Sequence, residues 1–197
     1  MKKIFMVLAM FVFFLSNTSK AEDAYMFGGV KLFNYGIESS DLQVINTSLV
    51  NLGFSSSTSS TDNTGFGFDL GIGLNLDENL ALEFGYVNFG TLEINTTLTG
   101  PAETVKTEIT GNAITGAGVF KFGDDQENFY LKAGMHSWDL DGKVTASLGS
   151  STAPLGTGTD LTFGAGFKAN NWFASYDYYA VEEGDFSSFG IGYSTAF

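Results

Sequence analysis

Residues 65–76 alternate with a period of two: Phe66, Phe68, Leu70, Ile72, Leu74 and Leu76 oppose Gly65, Gly67, Asp69, Gly71, Gly73 and Asn75. So strict a period specifies a β-strand with one apolar face. The final segment, residues 185–197, repeats the arrangement, with Phe189, Ile191, Tyr193 and the terminal Phe197 on one face and Ser188, Gly190, Gly192 and Ser194 on the other. No later chain exists to cover that last face, so the pattern points it outward. Further strands are predicted over residues 23–35, from residue 80 onward (Leu82, Phe84 and Tyr86 against Ala81, Glu83, Gly85 and Val87), and over 104–122, 129–140, 160–168 and 171–181. The register of the strand over 104–122 is blurred around Gly116 and Gly118.

The connections alternate in length. Long polar stretches at residues 36–64, 92–103 and 141–158 read as loops, the first of them mobile, whereas 77–79, 123–128 and 169–171 read as short turns and 182–185 as a brief acidic hairpin. Pro101 and Pro154 both fall in the predicted loops. Eight antiparallel strands, short turns on one side and long loops on the other are the plan of a bacterial transmembrane barrel. Segments of about nine or more residues suffice for a tilted strand to cross the hydrocarbon layer. Closure then leaves no unpaired sheet edge in lipid. The fold predicted is all-β, an eight-stranded antiparallel up-and-down transmembrane β-barrel.

The opposite reading is a soluble secreted barrel or sandwich that turns its apolar face inward. Such a protein needs a solvated exterior of Lys, Glu, Thr and Asn. Here the second face is Gly, Ala and Ser with an occasional charge, a set suited to a narrow interior. The 25 glycines fit the same picture. Aromatic residues near strand ends, among them Phe66, Tyr86, Phe129, Trp172 and Phe197, suit interfacial girdles.

The start of the chain differs in kind. Lys2 and Lys3 precede an apolar run over residues 4–15, and a polar stretch ends at the small residue Ala21, the layout of a secretory signal peptide. At roughly twelve residues the run is shorter than the roughly 20 a spanning helix requires. The expected division is a signal peptide at residues 1–21 and a barrel domain at residues 22–197.

Composition removes several function classes. The 197-residue chain has nine basic against 22 acidic side chains, and no arginine. Phosphate-backbone binding needs clustered basic groups, so a nucleic-acid partner is not expected. Without cysteine there are no disulfides, thiolate metal sites or cysteine nucleophiles. The acidic clusters Asp124, Asp125 and Glu127, and Glu182, Glu183 and Asp185, lack calcium-loop spacing and read as solvated turns. No phosphate loop, zinc signature or dinucleotide motif is present, so no cofactor and no metal is expected.

Inward parity places Lys31, Asp69, Glu83, Lys132, His136 and Asp177 in the lumen. Buried ions cost several kcal/mol unless paired, so these side chains are expected to form a polar network. His136 lies next to Ser137 and near Asp139 and Asp141, which raises the alternative of a lipid-modifying enzyme. Adjacent strand residues point to opposite faces, however, and a nucleophile and its base must meet. No catalytic residue is assigned.

The segments Val30 to Tyr35 (VKLFNY), Ala81 to Gly90 (ALEFGYVNFG) and Phe129 to Asp139 (FYLKAGMHSWD), with the terminal phenylalanine, resemble the OmpA-like eight-stranded outer-membrane barrel family. The resemblance implies a bacterial outer-membrane location among lipid and lipopolysaccharide, and no enzymatic activity. It also implies insertion by the barrel-assembly machinery, with Phe189, Ile191, Tyr193 and Phe197 as the C-terminal signal. Many relatives carry a periplasmic peptidoglycan-binding domain after the barrel, and this chain ends at Phe197. The family's lumenal lysine and glutamate pair matches Lys31 and Glu83; its arginine is missing, and Lys132 stands in. The expected function is structural or surface-interactive, with a plugged lumen and loops open to surface ligands. The alternative is a narrow porin-like channel for small solutes.

Overall fold

The computed structural model describes residues 24–51, 56–99, 103–124, 126–181 and 184–196. Residues 1–23, which include the segment expected to be a signal peptide, and Pro101, Asp125, Glu182, Glu183 and Phe197 lie outside the described residues. The elements are β1 (Ala24–Asn34), α1 (Ser39–Asn51), β2 (Ser56–Asp62), β3 (Thr64–Asn75), β4 (Leu80–Thr99), β5 (Glu103–Gly123), β6 (Glu127–Ala146), β7 (Gly149–Ala169), β8 (Trp172–Tyr179) and β9 (Phe186–Ala196). All strand pairings are antiparallel. Strands β1 and β3 to β9 close an eight-membered ring in which β1 pairs with β9 and β4 with β5. Among the described residues β2 is a ninth strand, paired with the far end of β4 and continuing the line of β3.

The apolar faces point out. Phe66 is 81% exposed, Val30 66%, Phe129 65% and Ile191 52%, while Lys31 between Val30 and Leu32 is 2% exposed. A soluble barrel would invert these values. Against water such an exterior is untenable, and against acyl chains it is the required solvent match. Phe129, and Trp172 stacked edge-on to Tyr193, ring the end that carries the short turns; Phe66 sits at the other end. The chain has the form in which bacterial outer-membrane proteins cross their bilayer, short turns at one end and long connections at the other; in that form the turn end is the periplasmic one. No helix among the described residues is long and apolar enough to cross a membrane.

The three long connections are more ordered than their composition suggests. Residues 92–99 and 103–110 continue β4 and β5 as one hairpin, and β6 and β7 pair out to Ala146 and Gly149. The first connection holds α1 and β2 rather than a bare loop, with Asn46 Oδ1 accepting hydrogen bonds from the Ser57 and Ser59 hydroxyls, both 2.8 Å. Threonine is a good strand former, and Leu92, Ile94 and Leu98 keep a buried alternate face within the Thr-rich stretch. A bulge between Asn88 and Thr91 carries that face across a change of parity. Gly90 occupies it at φ 78°, where its amide donates to Asn88 Oδ1 at 3.0 Å. A second bulge, opposite Leu140 and Asp141, accommodates Pro154 inside β7.

Many glycines of the inner face oppose large rings. A methyl on Gly67 would strike the Phe33 ring, on Gly71 the Phe27 ring, and on Gly166 the Tyr130 ring. The lumen is therefore filled by aromatic side chains from one strand lying over glycine on the next, and the small-residue interior expected from composition is half of the pattern.

Candidate functional site

The lumen is layered along the barrel axis. In its middle, β1 contributes Lys31, β3 Asp69, β4 Glu83, β6 Lys132 and β8 Asp177, each at the inward parity of its strand. Asp177 is fully buried and receives both lysines: Lys31 Nζ lies 2.5 Å from its Oδ2 and Lys132 Nζ 2.9 Å from its Oδ1. Lys31 also approaches Asp69 Oδ2 at 3.2 Å. Ser175 Oγ donates to Asp177 Oδ2 at 2.8 Å, fixing that carboxylate from its own strand. Lys132 reaches Glu83 Oε2 at 3.9 Å, and the Tyr25 hydroxyl donates to Glu83 Oε1 at 2.8 Å.

The pairing differs from the expected Lys31 with Glu83. Glu83 stands nearer the periplasmic end, since it pairs with Gly73, whereas Asp69 and Asp177 stand closer to the height of Lys31. Glycines make the arrangement possible. Gly190 lies beside the Lys31 stem, and a methyl on Gly164 would collide with Asp177 Oδ1 and crowd Lys132. The network has two cations and three carboxylates, of which Lys31, Asp69 and Asp177 are buried and Lys132 and Glu83 partly so, and burial of the first three requires mutual pairing.

Toward the outside, the charged layer is capped by aromatic rings. Phe89 is edge-on to Phe33 (5.6 Å between centroids), to Tyr179 (5.4 Å) and to Phe186 (4.7 Å). These are the separations and tilts at which aromatic rings attract. His136 belongs to this layer rather than to the lysine network, lying edge-on to Tyr179 at 5.4 Å and to Phe89 at 6.4 Å. Trp138 completes the upper rim, its Nε1 donating to Asp160 Oδ2 at 2.6 Å. The Tyr35 hydroxyl holds the Phe89 carbonyl at 2.7 Å. Sequence reasoning passed over Phe33, Phe89, Trp138, Tyr179 and Phe186. Parity signalled the first four, because Phe33 follows Lys31 by two residues, Trp138 follows His136, Tyr179 follows Asp177, and Phe89 shares the phase of Glu83.

Below the cap the interior space is small. A cavity of about 50 Å³ is bounded by Tyr25, Glu83, Tyr130 and Lys132, and one of about 20 Å³ lies by Thr115 and Thr162. At the periplasmic mouth the ammonium groups of Lys121 and Lys168 flank the Tyr25 ring at 5.5 and 6.0 Å.

Beyond the bilayer, the β2 and β4 to β6 extensions carry a charge ladder. Asp62 pairs opposite Glu93, and Glu93 opposite Glu108, which places like charges side by side. Lys106 offsets this, reaching Glu93 at 2.7 Å and Glu108 at 3.1 Å, and Lys143 reaches Glu108 at 3.4 Å. Those hydrogen bonds hold the Glu108 carboxyl below its ordinary range and raise Lys106 above its own. In the periplasmic turn, the backbone amides of Glu127 and Gln126 lower Asp124.

His136 and Ser137 point to opposite sides of the wall, one buried and one exposed, so the pair does not meet. Among the described residues no cluster of His, Asp and Glu side chains suits a metal ion. Phe189, Ile191 and Tyr193 face out from β9, about half exposed.

No family model matches this chain, and no curated protein matches it in sequence. Solved structures do match in fold. The attachment invasion locus protein Ail of Yersinia pestis is 14% identical, with 87% of this chain and 97% of that one covered at a TM-score of 0.50. The outer membrane protein OprG of Pseudomonas aeruginosa is 11% identical, with 90% and 98% covered at a TM-score of 0.53. At such identities the likeness speaks to fold. Together with the lipid-matched exterior, it makes this chain an eight-stranded bacterial outer-membrane β-barrel.

Proposed function

We propose that the protein serves as an occluded barrel that displays a rigid, strand-built surface outside the cell, in a structural or surface-interaction role. One observation carries the reading: the aromatic layer and the lysine–carboxylate network close the lumen while β4 to β7 run on past the membrane as paired hairpins. A channel needs a continuous polar path, and display needs a stiff projection. The outward row of Phe189, Ile191 and Tyr193 supports recognition of β9 by the barrel-assembly machinery, and packing of His136 among rings supports a non-enzymatic role.

The absence of native cysteine offers a clean test. Leu148→Cys, at the tip between β6 and β7 and 99% exposed, is expected to react with a membrane-impermeant maleimide on intact cells. Glu78→Cys, in the opposite turn, is expected to react only after the outer membrane is permeabilised. Labelling of Glu78→Cys in place of Leu148→Cys on intact cells would reverse the orientation and remove the proposal.

A further inference from the structure

Above the aromatic layer, β4, β5, β6, the bulged part of β7 and the segment entering α1 enclose a cup of about 520 Å³. Phe89 and Phe186 form its floor, and Leu92, Ile109, Leu140 and Leu155 much of its wall. Small-molecule sites span about 300 to 1,000 Å³ and pair an apolar lining with a few convergent polar groups. This cup has that size and that lining. Because the rings below it are packed against one another, it is a pocket with an outer mouth and no continuation into the lumen.

Its charged groups are of one sign. Asp41, from the first turn of α1, and Asp185, on the approach to β9, line the cup, and none of its described lining residues is basic. Both carboxylates are held in place. Asp41 Oδ2 accepts the Glu38 amide at 2.9 Å, Asp185 Oδ1 accepts the Val181 amide at 3.2 Å, and Asp185 Oδ2 accepts the Tyr178 hydroxyl. An ionised carboxylate offers about four acceptor positions, so each retains capacity for a further donor. The lysines of the neighbouring hairpin are committed to Glu93 and Glu108. An aromatic floor also favours a cation over a neutral group.

We infer that the cup binds a small amphiphilic amine, its apolar body on Phe89 and Phe186 and its ammonium group directed to Asp41 and Asp185. The site lies outside the occluded lumen and does not depend on whether the barrel conducts.

The test uses the whole protein in lipid nanodiscs, with 1-naphthylmethylamine as probe, 1-naphthylmethanol and 1-naphthylacetate as its neutral and anionic counterparts, and empty nanodiscs to subtract partition into lipid. Saturable one-site binding of the amine is expected. Replacing attraction by repulsion at two exposed carboxylates favours the amine over the acetate by at most roughly tenfold. Asp41→Asn is expected to narrow that ratio, weakening the amine more than naphthylmethanol. Leu155→Trp fills the cup and is expected to abolish binding of all three, with heat-modifiable gel migration reporting that the barrel is intact; Ile109→Trp repeats the measurement from the other wall if Leu155→Trp does not fold. The inference fails if the protein adds no saturable signal to that of empty nanodiscs. It fails equally if a folded cup-filling variant binds like the parent, or if amine and acetate bind alike.

Discussion

Asp177 is the side chain on which the interior depends, because it balances two lysines from opposite walls in a space without bulk water. Asp177→Ala leaves Lys31 and Lys132 without their shortest partner. Removing one member of a buried ion pair costs about 3–5 kcal/mol, which denaturant titration of the barrel in lipid would read; a loss under about 0.5 kcal/mol would mean that the charges are solvated and the pairing unimportant. Adding Lys31→Met to that variant is expected to cost less than the two single losses combined, since the residues share one network. The inward position of all six polar residues was legible in the sequence, because parity alone sets the face of a strand. Who pairs with whom was not, since Lys31 and Asp177 are 146 positions apart and meet only through strand order and height.

At the scale of elements, the strands within the bilayer were legible and their outer continuations were not. Ser and Thr density reads as loop when charge and polarity are weighed, yet Leu92, Ile94 and Leu98 preserve the period of two, and the bulge at Gly90 hides it by one residue. That bulge is specific to glycine, for a side chain at φ 78° would also strike the Phe66 carbonyl. Gly90→Val is expected to cost at least about 2 kcal/mol in unfolding, and an unchanged midpoint would show that the bulge is not needed. Helix α1 left only a short apolar stripe, Leu42, Ile45 and Leu49, broken by polar neighbours: none of its residues is fully buried, and Asn46 on the same half-buried face ties it to β2. The outer hairpins have their own electrostatic signature. Lys106→Met leaves Glu93 and Glu108 opposed, so amide exchange is expected to rise over residues 93–108 and stay unchanged in the lower barrel. Because Glu108 titrates below its usual range, its contribution is present at neutral pH and is lost as pH falls through that lowered value. Lys106, shifted up, keeps its contribution until strongly alkaline pH. An exchange pattern over residues 93–108 that ignores both the substitution and acid would exclude the ladder as a support.

For the molecule as a whole, one constraint organises the rest: a closed ring with its apolar side chains outward leaves an interior that must be filled by the chain itself. Aromatic rings seated over glycines fill most of it, and paired charges fill the remainder. The filling is why composition looked extreme, with many glycines and many phenylalanines in one chain, and why the glycine count alone gave an interior emptier than the one that exists. It is also why the proposed closure of the lumen rests on packing and not on a single ion pair. The direct measurement is ion conductance of the purified protein in planar lipid bilayers. The packed lumen predicts no steady current in the unaltered barrel and the appearance of current when Phe89 and Phe186 are both reduced to alanine. A large, steady conductance in the unaltered protein would contradict it.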